Sequence, residues 1–304
     1  MSETETLPPP APAMSKARAW WTGLRVASLS ASVVPVLVGT AAARPGHLNH
    51  PLAFVAALLA SMLIQTGTNF SNDVFDYRSG ADSASRLGPA RLILSGAITP
   101  REALLAAGAA FGAAALLGLY LITVGGWPIL IIGVASIVAG VVYTGGPWPV
   151  GYHGLGDLFT FVFFGLAGVI GSAYLQILTV TPVVVLAALP VGFLITAILV
   201  VNNLRDIATD RAVGKMTLAV RLGPGATRGE YGALVGLSYL VPLALVVAGR
   251  SPAVFLPLLT LPLAVRAVDR IRRLQGPALN ALLRGTGQLN LVFGVLLAAG
   301  LWLS

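Results

Sequence analysis

The stretch QTGTNFSNDVFDYRSGAD, residues 65–82, decides the fold, because polar and acidic side chains enter the chain here at the end of an apolar run. Residues 51–64 are almost entirely apolar. If their helix continues, five polar side chains lie within an arc of about 100° on one helix face. These five are Gln65, Asn69, Asn72, Asp73 and Asp76. The sequence therefore predicts a membrane-spanning helix with a polar face at one end.

The carboxylates on this face need a partner. A carboxylate at membrane depth costs about 2.5 to 3.5 kcal/mol even on a lenient insertion scale, so it normally faces a cavity, a partner or an ion. No Lys or Arg lies between Pro51 and Tyr77 to neutralise them. The stretch is either a solvated helix end or a divalent-metal site at the membrane surface, and the missing basic residues favour the metal site.

The composition is that of a membrane protein. Hydrophobic residues make up 56% of the 304 residues and charged residues 10%, whereas a soluble domain carries about 25% charged residues. We therefore expect an all-α integral membrane protein. The chain has no cysteine, which excludes disulfides, thiolate metal sites and cysteine nucleophiles.

Apolar segments of about 20 residues predict about nine transmembrane helices. Residues 1–14, rich in Pro and without Lys or Arg, are expected to form a disordered leader. Residues 15–304 form a single polytopic transmembrane domain. The predicted spans are 26–44, 51–71, 102–123, 127–143, 157–176, 181–202, 230–248, 252–268 and 286–303.

The basic residues decide the predicted orientation. With the N-terminus inside, every Lys and Arg except Arg44 and Arg250 falls on one side, which the positive-inside rule makes cytoplasmic. The N-terminus and the polar loops are then cytoplasmic, and the C-terminus is outside. The net charge of +8 reflects this topology and contact with the lipid bilayer, and it predicts no nucleic-acid partner. All acids beyond the leader also fall on the cytoplasmic side, which argues against a transporter with midplane charges.

A second copy of the polar pattern follows four spans later. The segment VNNLRDIATDRAVGKMTLAVRLG, residues 201–223, places Asn202, Asp206 and Asp210 on one helix face. The tetrapeptide RLGP follows each polar face at a similar distance, at 86–89 and at 221–224. The repeat predicts two related halves of four helices each, plus one further helix.

Two acidic faces beside basic loops predict the binding of a metal and a diphosphate. Mg²⁺ takes one or two carboxylates and completes its shell with water and phosphate oxygens. The helical spacing lacks the ligand loop of an EF-hand, which disfavours Ca²⁺ storage. A diphosphate on an isoprenoid tail would hold its head at the polar faces and its tail among the helices. The basic residues expected to neutralise the phosphate charge are Arg78, Arg91, Arg205 and Lys215.

Four segments resemble the UbiA superfamily of intramembrane prenyltransferases, and within it the branch that acts on 1,4-dihydroxy-2-naphthoate. They are NDVFDY with GAD (72–82), RLGPARLILSG (86–96), YTGGPWPVGYHGLGDLFTFVFFG (143–165) and NNLRDIATDRAVGKMTLAVRLG (202–223). The superfamily has a third Asp where this chain has Gly80, and Asp82 stands nearby. Near the first helix, the branch pattern Arg-Pro-Arg-Thr-Leu is reduced here to Arg25 and Leu29.

The resemblance implies roles for individual residues. The implied ligands of the Mg²⁺–diphosphate are Asn72, Asp73, Asp76, Asp206 and Asp210, and the four Asp residues are the implied catalytic groups. Arg78, Arg205 and Lys215 are the implied basic partners of the diphosphate. The expected substrate pocket includes Gln65, Asn69, Tyr143, Asn202 and Asn203.

The implied reaction is Mg²⁺-dependent ionisation of a polyprenyl diphosphate, attack by the naphthoate ring and loss of CO₂, which gives demethylmenaquinone. Two alternatives stay open at this stage. One is transfer of a prenyl or phytyl group to another aromatic acceptor, such as 4-hydroxybenzoate or homogentisate. The other is a non-enzymatic transporter or lipid-binding protein, which would release no pyrophosphate.

Overall fold

The computed structural model describes residues 15–81, 87, 92–94 and 96–304, and these residues form helices and loops with no strand. The predicted leader lies outside the described residues. Nine helices follow one another along the described chain. They are α1 (Lys16–Leu24), α2 (Val26–Ala43), α3 (Pro51–Arg78), α4 (Pro100–Val142), α5 (Gly156–Ile177), α6 (Pro182–Ala212), α7 (Leu218–Val247), α8 (Pro252–Arg273) and α9 (Gly276–Trp302).

Seven of the described helices, α3 to α9, are long and apolar enough to cross a membrane. Helices α1 and α2 provide an eighth span if they are taken together, bent by 42°. The bend lies at Arg25, whose φ of 48° is in the left-handed region. The chain is therefore a multi-pass membrane protein, and the predicted all-α class is confirmed.

Helix α4 is a hairpin of two spans, because its 43 residues break at Gly126. Gly126 has φ 66° and ψ −155°, a conformation that only glycine adopts readily, and Pro128 follows it. The ring of Phe111 packs against Gly67 and would lie 3.6 Å from a Cβ on Gly140. In a straight helix Phe111 and Gly140 would be about 40 Å apart, so the chain reverses at Gly126. The sequence predicts two separate spans here, 102–123 and 127–143, and the break at Gly126 lies between them.

Two predicted spans begin too late. Helix α9 begins at Gly276 rather than at residue 286, and α7 begins at Leu218 rather than at residue 230. Asn280 and Arg284 lower the hydropathy of the first turns of α9, although these residues are helical. In α7 a break at Gly223, with φ 78° and followed by Pro224, separates one initial turn from the main span. This break is the second RLGP segment, whereas the first lies outside the described residues except for Leu87.

Apolar packing fixes the helices that surround the site. One buried cluster joins α2, α6 and α9 through residues such as Val34, Leu194 and Phe293. Helices α5 and α6 approach closely where Gly165 faces Gly192, because a Cβ on Gly165 would lie 2.6 Å from the Cα of Gly192. Gly165 belongs to a π-helical stretch within α5. These contacts hold α2, α5, α6 and α9 around a shared interior.

Candidate active site

A cavity of about 800 Å³ lies among α2, α3, α4, α5, α6 and α9. Its walls are mostly apolar, with aromatic side chains from α5 such as Phe159, Phe163 and Phe164. One end is polar and carries acids, amides and cations. We call this the polar end; its lining side chains are Arg25, Asn72, Asp73, Asp76, Asn202, Asn203, Lys215 and Asn280. The cavity can therefore hold a molecule with a charged head and a long apolar tail.

Helix α3 continues through the polar stretch to Arg78 and directs its acids into the cavity. Asp73 is almost fully buried; it pairs with Arg25, and its second oxygen accepts from the Leu92 amide at 3.1 Å. Asp76 is also buried and accepts from the Tyr152 hydroxyl at 2.9 Å. Each carboxylate is thus held in place by contacts from another segment.

Asn72 is fixed from the loop after α4. Its side-chain oxygen accepts from the Thr144 hydroxyl at 2.6 Å. Tyr143, the residue before Thr144, lines the cavity. Burial raises the pKa of the Tyr143 hydroxyl, and the carboxylates of Asp157 and Asp76 act in the same direction. The hydroxyl therefore remains protonated and can donate a hydrogen bond to a ligand.

The second acidic face, on α6, centres on a buried ion pair. Arg205 donates to both oxygens of Asp206, at 2.8 and 2.5 Å. It also donates to the side-chain oxygens of Asn202 at 2.8 Å and Asn280 at 2.7 Å. Asn280 in turn donates to the carbonyl of Leu87 at 2.9 Å. The network ties α6 to α9 and to the segment that follows α3.

Lys215 brings the two acidic faces together. Its ammonium lies 3.7 Å from an oxygen of Asp76 on α3 and 3.9 Å from an oxygen of Asp210 on α6. Its backbone amide also donates to the carbonyl of Asp210 at 2.8 Å, after a turn at Gly214. One ammonium therefore spans carboxylates from the two related halves, which places the two acidic faces at the same site.

Gln65 and Asn69 are hydrogen-bonded to each other on the cavity wall, and their donor and acceptor roles can be assigned. Asn69 donates to the Leu24 carbonyl at 3.4 Å and to the Ser28 hydroxyl at 3.2 Å. Because a carbonyl only accepts, the side-chain oxygen of Asn69 faces Gln65, which donates to it at 3.0 Å. The predicted pocket residues Gln65, Asn69, Tyr143, Asn202 and Asn203 all line the one cavity.

The basic residues predicted to bind the diphosphate differ in their position relative to the cavity. Lys215 lines the polar end. Arg205 is buried and paired with Asp206, and Arg78 is exposed; neither of these two arginines lines the cavity. Arg91 and Asp82 lie outside the described residues. Asp206 and Asp210 are buried but do not themselves line the cavity.

Several residues that line the cavity or contact its lining acids were not singled out from the sequence. They are Arg25, Thr144, Tyr152, Asn280 and Arg284. Arg25 carried one signal, because it is the Arg retained from the branch pattern near the first helix. Asn280 and Arg284 carried another, because they are four residues apart and share a face of α9.

The donor set fits Mg²⁺. No cluster of three or more acidic, His or Cys ligands occurs among residues 15–81, 87, 92–94 and 96–304. A preformed cage of that kind is not required, because Mg²⁺ takes one or two carboxylates and fills its octahedron with water and phosphate oxygens. Asp73 and Asp76 supply hard oxygen ligands on the cavity wall, and Asn72 adds an amide oxygen.

A helical membrane bundle with two acidic faces at the head of an apolar cavity is an integral membrane protein with room for a lipid that has a charged head. The UbiA prenyltransferase family model matches residues 32–283, and the chain belongs to this family. It is similar to the 1,4-dihydroxy-2-naphthoate octaprenyltransferases of Mycobacterium tuberculosis and Escherichia coli, at 38% identity to each. The alignments cover 93% of this chain and 96% of the first relative, and 96% and 97% for the second.

Solved structures share the fold. A UbiA homologue from Aeropyrum pernix matches with a TM-score of 0.71 at 16% identity, covering 91% of this chain and 97% of that one. A UbiA homologue from Archaeoglobus fulgidus, bound to DMAPP and Mg²⁺, matches with a TM-score of 0.67 at 16% identity, covering 93% and 99%. The predicted UbiA-like fold is confirmed.

Proposed function

We propose that this chain transfers a polyprenyl group from a polyprenyl diphosphate to 1,4-dihydroxy-2-naphthoate with loss of CO₂, giving diphosphate and demethylmenaquinol, the reduced form of demethylmenaquinone. The chain is a prenyltransferase of the UbiA family. The observation that carries the proposal is the meeting of acids from α3 and α6 around Lys215, at the polar end of an apolar cavity. The named activity of the bacterial relatives supports the acceptor.

The polar end binds the diphosphate. Asn72, Asp73 and Asp76 would hold Mg²⁺, with Asp206 and Asp210 on the facing helix, and Mg²⁺ bound there stabilises the negative charge on the leaving diphosphate. Lys215 supplies a flexible cation between the two acidic faces. Tyr143 supplies a hydroxyl donor on the cavity wall. Together these side chains orient the phosphate end of the substrate.

The apolar walls suit the reactive tail. When the C–O bond of the prenyl diphosphate breaks, its electron pair leaves with the diphosphate and the allylic carbon becomes a cation. Phe159 and Phe163, whose rings are 5.1 Å apart, line the cavity, and aromatic faces stabilise cations. The ring carbon that bears the carboxylate forms the new bond. The electron pair of the C–CO₂ bond then returns to the ring as CO₂ leaves, so no external base is required.

The orientation also belongs to this proposal. The basic residues place the N-terminus and the loops of the polar end in the cytoplasm, and the C-terminus outside. A charged diphosphate and a charged naphthoate would then reach the polar end from the cytoplasmic side, while the polyprenyl tail stays in the bilayer.

The test is an assay of purified protein in detergent with Mg²⁺, geranylgeranyl diphosphate and 1,4-dihydroxy-2-naphthoate. We expect pyrophosphate, CO₂ and a prenylated naphthalene-1,4-diol, which dioxygen in air oxidises to the naphthoquinone before mass spectrometry, and no product with EDTA. Product only with 4-hydroxybenzoate or homogentisate would keep the prenyltransferase and replace the acceptor. Folded protein that gives no product with any acceptor would contradict the proposal.

A further inference from the structure

Three cations line the cavity within the described chain, and two of them already contact carboxylates. Arg25 pairs with an acid of α3, and Lys215 lies between an acid of α3 and an acid of α6. The third is Arg284 on α9. Among the described residues it makes no ion pair and no side-chain hydrogen bond, although it lies within a membrane-spanning helix.

Arg284 lies one helical turn deeper than the polar end. Asn280, four residues earlier on α9, contacts Arg205 at 2.7 Å and the Leu87 carbonyl at 2.9 Å, which fixes it at the level of the α6 acids. One turn corresponds to about 6 Å along the axis. Gly287, the next residue on this face, also lines the cavity. Arg284 therefore lies between the polar end and the apolar part of the cavity.

Arg284 is exposed and lines the cavity without an ion pair among the described residues, so its guanidinium is available to an anion. Ionisable groups within membrane spans are costly, and they normally face a cavity and pair there. An anion that enters the cavity with a substrate would supply a partner for Arg284. The proposed reaction brings two such anions, the diphosphate and the carboxylate of the aromatic acceptor.

Of these two anions, the carboxylate of the acceptor fits the position of Arg284 better than the diphosphate does. The diphosphate is served by the acids and Lys215 at the polar end, whereas the acceptor ring must lie beyond it, beside the first carbon of the prenyl chain. We propose, on the basis of the function argued above, that Arg284 binds the carboxylate of the aromatic acceptor. The planar guanidinium matches a carboxylate with two parallel hydrogen bonds. It thereby positions the ring carbon that is prenylated and selects aromatic carboxylates over phenols without that group.

The experiment measures binding to purified protein in the presence of Mg²⁺ and geranylgeranyl thiolodiphosphate, which does not react. The ligands are two aromatic carboxylates and their counterparts without the carboxylate: 1,4-dihydroxy-2-naphthoate with naphthalene-1,4-diol, and 4-hydroxybenzoate with phenol. The variants are Arg284→Met, which removes the charge, and Arg284→Lys, which keeps it. Arg266→Met is the matched control, because Arg266 on α8 is exposed like Arg284 but does not line the cavity.

We expect Arg284→Met to weaken binding of the preferred carboxylate about 10-fold or more, as for loss of a charged hydrogen bond. The affinities for its counterpart and for the thiolodiphosphate should not change. Arg284→Lys should recover part of the loss, and Arg266→Met should match the wild type. An equal loss for both members of a pair, no loss at all, or weaker thiolodiphosphate binding would overturn the inference.

Binding and turnover separate this inference from the proposed function. If the wild type binds 4-hydroxybenzoate and turns it over in place of the naphthoate, the acceptor is wrong, and the Arg284 variants still decide the carboxylate site. If the wild type binds neither carboxylate better than its counterpart, Arg284 does not select the acceptor, whatever the turnover assay shows. The thermal midpoint of each variant identifies a loss of binding caused by unfolding.

Discussion

At the scale of single residues, the two acidic faces differ in how their acids are held. Asp73 pairs with Arg25, whose side chain is 32% exposed, whereas Asp206 pairs with Arg205, whose side chain is 1% exposed. Loss of one partner from a buried ion pair leaves an uncompensated charge, while a partly exposed guanidinium can be hydrated. Equivalent substitutions on α3 and α6 should therefore have different effects on stability.

We expect Asp73→Asn and Asp206→Asn each to lower kcat/KM by roughly 100-fold or more, because each removes negative charge from the metal and diphosphate site. The thermal midpoint should fall markedly only for Asp206→Asn, because Arg205 would lose its bidentate partner. Turnover assays and thermal unfolding of the detergent-solubilised variants check both effects.

Asp269→Asn is the matched control. Asp269 is 52% exposed and pairs with Arg273 on the surface of α8, and such pairs contribute little. It should change neither kcat/KM nor the thermal midpoint. Near-normal turnover of Asp73→Asn would remove Asp73 from the site, and an unchanged midpoint for Asp206→Asn would show that Arg205 does not depend on this carboxylate.

The sequence predicts on which helix face an acid lies better than it predicts the partner of that acid. The spacing of Asp73 and Asp76 on α3 is a local property, so periodicity finds it. The contact between Asp76 and Lys215 depends on the packing of α3 against the loop after α6, which no local pattern encodes. Arg205 has the residue type of a phosphate ligand, but its guanidinium is occupied by Asp206 and two amides.

At the scale of elements, the break in α4 sets the geometry of one cavity wall. Gly126 has a positive φ that strains any other residue, and the two halves of α4 pack back against α3. Both halves contribute lining residues, such as Leu121 before the break and Ile129 after it. A change at Gly126 should therefore affect both stability and the cavity.

We expect Gly126→Ala to destabilise the protein by about 1 to 3 kcal/mol, the usual cost of placing a residue with a Cβ in a backbone region that is almost restricted to glycine. Gly112→Ala is the control, because a Cβ at Gly112 meets no atom within 4 Å and the residue is helical. Thermal unfolding in detergent measures both variants. Equal midpoints for the two variants would contradict a glycine requirement at the break.

Helix ends show where sequence patterns stop being informative. The predicted span 26–44 agrees closely with α2, because an apolar run and a helix coincide there. In α9 they do not coincide, since the helix begins at Gly276 and includes Asn280 and Arg284 before the apolar run. Hydropathy identifies the residues that lie in the apolar part of the membrane. It does not identify the helix ends, because a helix continues as far as its backbone hydrogen bonds and its packing permit.

At the scale of the whole molecule, the proposed orientation can be tested because the chain has no cysteine. We expect a cysteine at exposed His47, between α2 and α3, to react with a membrane-impermeant maleimide in intact cells. A cysteine at exposed Pro147, between α4 and α5, should react only in inside-out vesicles. The reverse pattern would place the polar end outside, and labelling of both positions in intact cells would indicate mixed insertion.

The contact between Asp76 and Lys215 also has a consequence for biogenesis. The two residues are 139 positions apart in the chain, so at a synthesis rate of 5–20 residues per second α3 emerges roughly 7 to 30 seconds before its cationic partner. During that interval the pair between Arg25 and Asp73 can already form, whereas the contact between α3 and the loop after α6 is still missing. The first half of the chain is therefore synthesised before one of the contacts that join it to the second half can form.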